Sequence, residues 1–127
     1  MNGQTKTAAF MMPIVVSHLT TGASVTLDML VDTSTIYSRI PASILRRIGI
    51  EPRDREVVEL VHGTWLTNDM GDVHLSLEGL TAPVPCVFGP EQEPPTLGRL
   101  VLESLSLKVD EEQRRLVPVI RRWVQHG

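Results

Sequence analysis

The sequence predicts an all-β fold, a barrel or sandwich of many short strands carrying two small helices. Three observations predict it. Short runs rich in apolar and β-branched residues follow one another along the chain, with polar alternation clearest at Val73 to Leu77. Turn-forming residues separate them at close intervals. Helical spacing of apolar residues occurs in only two brief stretches, which argues against a parallel sheet covered by helices. No repeat of solenoid period is present.

Taken in order, residues 1–9 are small and polar and read as a flexible lead-in. Phe10 to His18 reads as a strand, Thr20-Thr21-Gly22-Ala23 as a turn and Ser24 to Asp32 as a second strand. Thr35 to Ile40 is a short extended piece ended by Pro41. From Pro41 to Gly49 a brief helix is expected. Proline opens it, Ile44, Leu45 and Ile48 share a face, and Gly49 suits the position just past its end.

Glu56 to Val61 and Thr64 to Met70 then form a hairpin around His62-Gly63. Val73 to Leu77 and Val84 to Phe88 are further strands, and Gly89 to Pro95 is a surface loop. Arg99 to Leu105 reads as the second helix, with Leu100, Val101 and Leu105 inward, and Leu107 to Val109 and Arg115 to Val119 as the last strands.

A chain of 127 residues is enough for one core and too short for two. Its net charge of −3 gives no general attraction to nucleic acid or to an anionic membrane, so neither is an expected partner. The pairs Arg46-Arg47 and Arg121-Arg122 are short and read as solvated decoration. With Cys86 the single cysteine, no intrachain disulfide can form. Its apolar setting predicts a buried, unreactive thiol, compatible with a reducing compartment.

The apolar stretch Ala8 to Val16 contains Pro13 and lacks a small-x-small cleavage site, so it reads as a core strand rather than a signal segment. No run approaches the roughly 20 apolar residues of a membrane span. A cytoplasmic location is expected.

The informative segment is Leu30-Val31-Asp32-Thr33-Ser34-Thr35, where an apolar strand delivers a carboxylate followed at once by small hydroxyl residues. By itself such a tripeptide serves as well to cap a turn. The remainder of the chain narrows the choice. Arg39-Ile40-Pro41 follows, then a small helix leaving through Ile48-Gly49-Ile50. After the hairpin come Thr96-Leu97-Gly98-Arg99, the run Glu103 to Asp110, and Leu116-Val117-Pro118.

In this order, over roughly residues 10–118, the chain resembles the retropepsin-like aspartic peptidases, in particular their bacterial and archaeal members. The resemblance implies a closed β-barrel of the acid-protease type that functions as a homodimer. It implies an aspartic endopeptidase acting on peptide or protein substrates without a cofactor.

Two carboxylates held close share one proton. The ionised one takes a proton from water and the protonated one polarises the scissile carbonyl. One Asp-Thr-Ser segment supplies one carboxylate, so two copies of Asp32 must meet on a two-fold axis.

By the same resemblance Asp32, Thr33 and Ser34 form the catalytic loop, with Thr33 bonding across the axis. Thr35, Leu97 and Gly98 support it. The Thr35 hydroxyl is expected to donate to the carboxylate, which favours an acid-leaning pH optimum. Gly98 lies where only glycine admits close backbone approach.

The hairpin residues His62, Gly63, Thr64 and Trp65 correspond to a flap over substrate. Trp65 lines a pocket or packs on the barrel, and both readings stand. Two departures are evident. Ser34 replaces the usual glycine, and Arg99 lacks its usual aspartate partner because Ile36 stands there. Residues 119–127, including Trp123, extend past the resemblance and could contribute a dimer contact.

Two other readings stay open. A PIN-type nuclease also begins with an apolar strand into Asp-Thr-Ser, but needs a helix directly afterwards and further acids for metal. A non-catalytic dimerisation or peptide-binding module on the same fold is the second, suggested by Ser34. No metal site is expected, because His18, His62, His74, His126 and Cys86 lack ligand spacing. A phosphate-cradling glycine loop and a Gly-x-Ser-x-Gly elbow are both missing from the sequence. Met11, Met12, Met29 and Met70 read as core filler.

Overall fold

The computed structural model describes residues 10–120. The lead-in at 1–9 and most of the C-terminal extension, with Arg121, Arg122, Trp123 and His126, lie outside the described residues. Among the described residues nine strands and two helices follow one another as β1 (Phe10–Ser17), β2 (Ser24–Val31), β3 (Ser38–Pro41), α1 (Ala42–Arg47), β4 (Asp54–Glu59), β5 (Trp65–Leu77), β6 (Leu80–Gly89), β7 (Thr96–Leu97), α2 (Arg99–Ser104), β8 (Leu107–Asp110) and β9 (Arg115–Pro118).

Seven strands form one sheet in the order β1-β2-β7-β3-β6-β5-β4, and β8 and β9 form a separate antiparallel pair. The large sheet curls, because β1 pairs with β2 along its length and also with β5 through Val15 to Ser17. Two contacts are parallel, β2 with β7 and β3 with β6. The all-β reading with two short helices is what the chain adopts.

Strand alternation decides the inside of the sheet. In β2, Met29 and Val31 are fully buried while Asp28 faces solvent and Leu30 is half-buried. Ile14, Val16, Ile40, Leu45, Val73, Leu75, Leu97 and Val101 complete a single apolar core. Burying each such side chain contributes roughly 1.5–3 kcal/mol.

α1 ends as its sequence predicts. Gly49 takes a φ of 87°, its N–H reaches the Arg46 carbonyl at 3.0 Å, and the Ile50 N–H reaches the Leu45 carbonyl at 2.9 Å. That pair of bonds is a Schellman closure, open to glycine because the conformation is left-handed. At its start, Pro41 offers no side-chain cap. The Glu91 carboxylate fills that role from a distant loop, accepting from the Ser43 N–H at 2.9 Å and from the Ser43 hydroxyl. These bonds, led by the hydroxyl, hold the Glu91 carboxyl below its ordinary range, with Arg46 adding to the effect.

The structure corrects several boundaries. Thr64 to Met70 and Val73 to Leu77 are not two strands but one, β5, running through Gly71. β6 begins at Leu80, not Val84, despite Pro83 and Pro85. The two strands turn tightly at Glu78-Gly79, both with positive φ, 52° and 77°, the backbone twist that suits a two-residue hairpin. Finally, β7 occupies Thr96–Leu97, between the expected loop and the expected helix where no strand is read, and it is the strand that reaches the Asp32 region.

Candidate active site

Asp32 stands immediately after β2, half-buried, where the strand gives way to a turn. The Leu30 N–H donates to the Pro95 carbonyl at 2.8 Å and the Asp32 N–H to the Leu97 carbonyl at 3.0 Å. The end of β2 is therefore fixed by backbone bonds to β7. The carboxylate is fixed separately. Its Oδ1 accepts the Ser34 N–H at 2.9 Å and the Ser34 hydroxyl at 2.6 Å. Charge-assisted bonds of this length orient a carboxylate firmly.

Thr35 does not take the part expected of it. Its hydroxyl donates to the Asp32 backbone carbonyl at 3.2 Å, closing the turn rather than touching the carboxylate. The hydroxyl on the carboxylate belongs to Ser34, so the donation expected of Thr35 comes from Ser34 instead. The reason is geometric: in an Asp-initiated turn the group two residues on, not three, faces the side-chain oxygen. Thr33 is half-buried beside it.

Gly98 is buried against the backbone that follows the loop. A Cβ built there would lie 2.5 Å from the Ile36 carbonyl oxygen and 2.6 Å from the Tyr37 carbonyl carbon. Its N–H donates to the buried Ser38 hydroxyl at 3.0 Å. The next two N–H groups, of Arg99 and Leu100, donate to the Thr35 and Ile36 carbonyls at 2.9 and 3.1 Å. The start of α2 thus backs the Asp32 loop through three consecutive amides. Ser38 was missed in the sequence, although a hydroxyl residue two before buried Ile40 on one strand face is a readable signal. The Arg99 side chain pairs at 3.9 Å with Glu103 one helical turn on, in place of the missing aspartate.

The residues 60–64 close the β4–β5 hairpin, with Gly63 at a φ of 77° and the Leu60 N–H bonded to the Thr64 carbonyl at 2.7 Å. His62 and Thr64 are exposed, Val61 is 99% exposed and Trp65 is 65% exposed. Trp65 is thus largely uncovered by the described residues. Among the described residues no hydrogen bond or ion pair joins the hairpin tip to the Asp32 loop.

Of the histidines, His18 organises a turn by accepting the Thr20 and Thr21 N–H groups on Nδ1 at 3.0 and 3.1 Å. Among the described residues no three His, Cys, Asp or Glu side chains converge as a metal site, and no helix is long and apolar enough to cross a membrane. Cys86 is buried in β6, and desolvation pushes its thiol up to about 12.

These features define a retropepsin-like fold. Solved structures that share it include two retroviral proteases. EIAV protease, complexed with the inhibitor HBY-793, is 16% identical with a TM-score of 0.53, over 86% of this chain and 97% of that one. Simian Foamy Virus (mac) protease, a solution structure, is 15% identical with a TM-score of 0.52, over 74% of this chain and 94% of that one. No family model and no curated protein matches the sequence. At such identities the likeness establishes the fold, and chemistry must be argued from the residues.

Proposed function

We propose that the chain is one subunit of a homodimeric aspartic endopeptidase, with Asp32 from each copy forming the catalytic pair. The observation that carries this reading is the Asp32 carboxylate itself, at the end of a core strand in a retropepsin-like fold and oriented by two donors from Ser34. Its second oxygen, Oδ2, accepts no hydrogen bond from the described residues, which leaves it for water or for the partner's carboxylate.

In the dimer, one carboxylate removes a proton from water, and the other, protonated, polarises the peptide carbonyl toward a tetrahedral intermediate. The proton belongs to the pair. Thr33 bonds across the axis, and the hairpin carrying His62, Gly63, Thr64 and Trp65 closes over the peptide. The exposed apolar residues Val61 and Trp65 support that role, since an uncovered apolar hairpin tip suits contact with a substrate or partner. Pairing of β1 with both β2 and β5 supports a closed barrel. Kinship with bacterial and archaeal members and a cytoplasmic location are part of the same proposal.

The test is cleavage of a mixed peptide library by wild type and Asp32→Asn. Cleavage by the first and none by the second is expected; equal activity of both would remove Asp32 from the mechanism. A second reading is favoured by one observation. The Ser34 side chain stands on Oδ1, where it could hold Asp32 as a structural turn in a peptide-binding module without catalysis. Peptide binding by both proteins without cleavage by either would support that reading. The nuclease alternative expects a helix directly after Asp-Thr-Ser, whereas the strand β3 follows.

A further inference from the structure

The face of the sheet opposite the core carries a row of side chains that the proposed chemistry does not use. Leu30 and Asp32 are two residues apart and share that face, since Met29 and Val31 point into the core. Register extends the row: Leu30 pairs Thr96, Thr96 pairs Arg39, Arg39 pairs Val87, and Val87 pairs Met70. Five strands thus align an apolar floor broken by one hydroxyl and one cation. Val87 and Met70 are buried yet lie outside the core cluster, so the floor is desolvated where it flanks Arg39.

Arg39 is an unusual occupant. Its neighbours along β3, Ser38 and Ile40, are buried on the core side, so its guanidinium belongs to the row. Its Nε is buried with no hydrogen-bond partner among the described residues, while the side chain as a whole is 31% exposed. It pairs with an acid, Glu93 in the loop before β7, at 3.7 Å from Nε, beyond hydrogen-bond range and 56% exposed. A buried donor left unsatisfied is costly, and a guanidinium is built to bind a carboxylate through two parallel bonds. Leu30, one strand step before Asp32, stands two strand spacings from Arg39, roughly 10 Å. An extended peptide reaching Asp32 can set a side chain over Arg39 at that range.

We infer that Arg39 selects substrates with an aspartate or glutamate near the scissile bond, among otherwise apolar residues. Glu93 is the internal stand-in that this side chain displaces. Because the floor belongs to the site of the proposed peptidase, the assignment rests on that reading.

The experiment compares peptide pairs identical except for Glu or Gln at each position flanking the cleaved bond. Both kcat/KM by wild type and affinity for the cleavage-inactive Asp32→Asn protein, by calorimetry, are measured. At one position Glu is favoured by roughly fivefold to fiftyfold, the range of a charge-assisted pair whose guanidinium is partly exposed. Arg39→Leu abolishes the preference, so that the Glu and Gln peptides are cleaved with kcat/KM values within about threefold of each other. Glu93→Gln strengthens it.

Cleavage of both peptides without preference overturns the inference and leaves the peptidase standing. Absence of cleavage, with Glu-selective binding lost in an Arg39→Leu, Asp32→Asn protein, overturns the peptidase and leaves Arg39 only as an acid-selective contact of a peptide-binding module. Absence of both cleavage and selective binding overturns both.

Discussion

The Ser34 hydroxyl lies 2.6 Å from Oδ1 of Asp32, and the Ser34 N–H lies 2.9 Å from the same oxygen. A residue that departs from the usual glycine at this place is thus the main orienting group for the carboxylate. Ser34→Ala keeps the backbone bond and removes the hydroxyl. It should lower kcat several-fold, as loss of about 1 kcal/mol of orientation would. KM should be nearly unchanged and the melting temperature should hold, by steady-state kinetics and circular dichroism. An unaltered kcat would show that the backbone donor suffices.

Gly98 has no room for a methyl group. Its added Cβ would meet the carbonyls of Ile36 and Tyr37, which are main chain and cannot rotate away. Gly98→Ala should destabilise the fold by at least about 2 kcal/mol through backbone displacement. Urea denaturation measures this directly, and a loss below about 0.5 kcal/mol would mean that the α2 contact is looser than described.

Glu91 gives a pH signature. Its folded carboxyl lies below the ordinary value of 4.5, so the cap contributes stability above that pH and loses it as pH falls through the lowered range. Wild type should therefore exceed Glu91→Gln in urea midpoint at pH 7, and the gap should narrow steadily below about pH 4.5. A gap that widens on acidification would contradict the cap.

Cys86, with its thiol pushed up to about 12 by burial, should resist alkylation by iodoacetamide at pH 8 in the native protein. It should react at once in urea, as read by mass spectrometry. Rapid native labelling would place β6 in a less protected setting.

The parts legible in the sequence are those where local chemistry and tertiary need agree. Pro41, the apolar face of α1 and Gly49 mark one helix, and alternation marks the strand into Asp32. What escaped was decided by partners far along the chain. Gly71 looks like a strand break, but β5 passes through it because β4 and β6 pair on its two sides. Thr96-Leu97 is too short to signal a strand, and exists because β2 and β3 flank it.

Glu91 is separated from Ser43 by 48 residues, so no local pattern reveals the cap. Around the candidate site, the placement of Asp32 at a strand end and of Gly98 at the start of α2 was readable from ordered resemblance. The exchange of roles between Thr35 and Ser34 was not, because it depends on turn geometry rather than residue type.

The central claim is that two copies of Asp32 make one catalytic centre. Light scattering and cleavage of one fluorogenic peptide, measured on the same samples across a dilution series, test it most directly. Activity per chain should fall with the dimer fraction, and mixing wild type with excess Asp32→Asn should suppress activity as inactive heterodimers form. A protein that is monomeric throughout the series, yet cleaves with constant activity per chain lost in Asp32→Asn, would contradict the account.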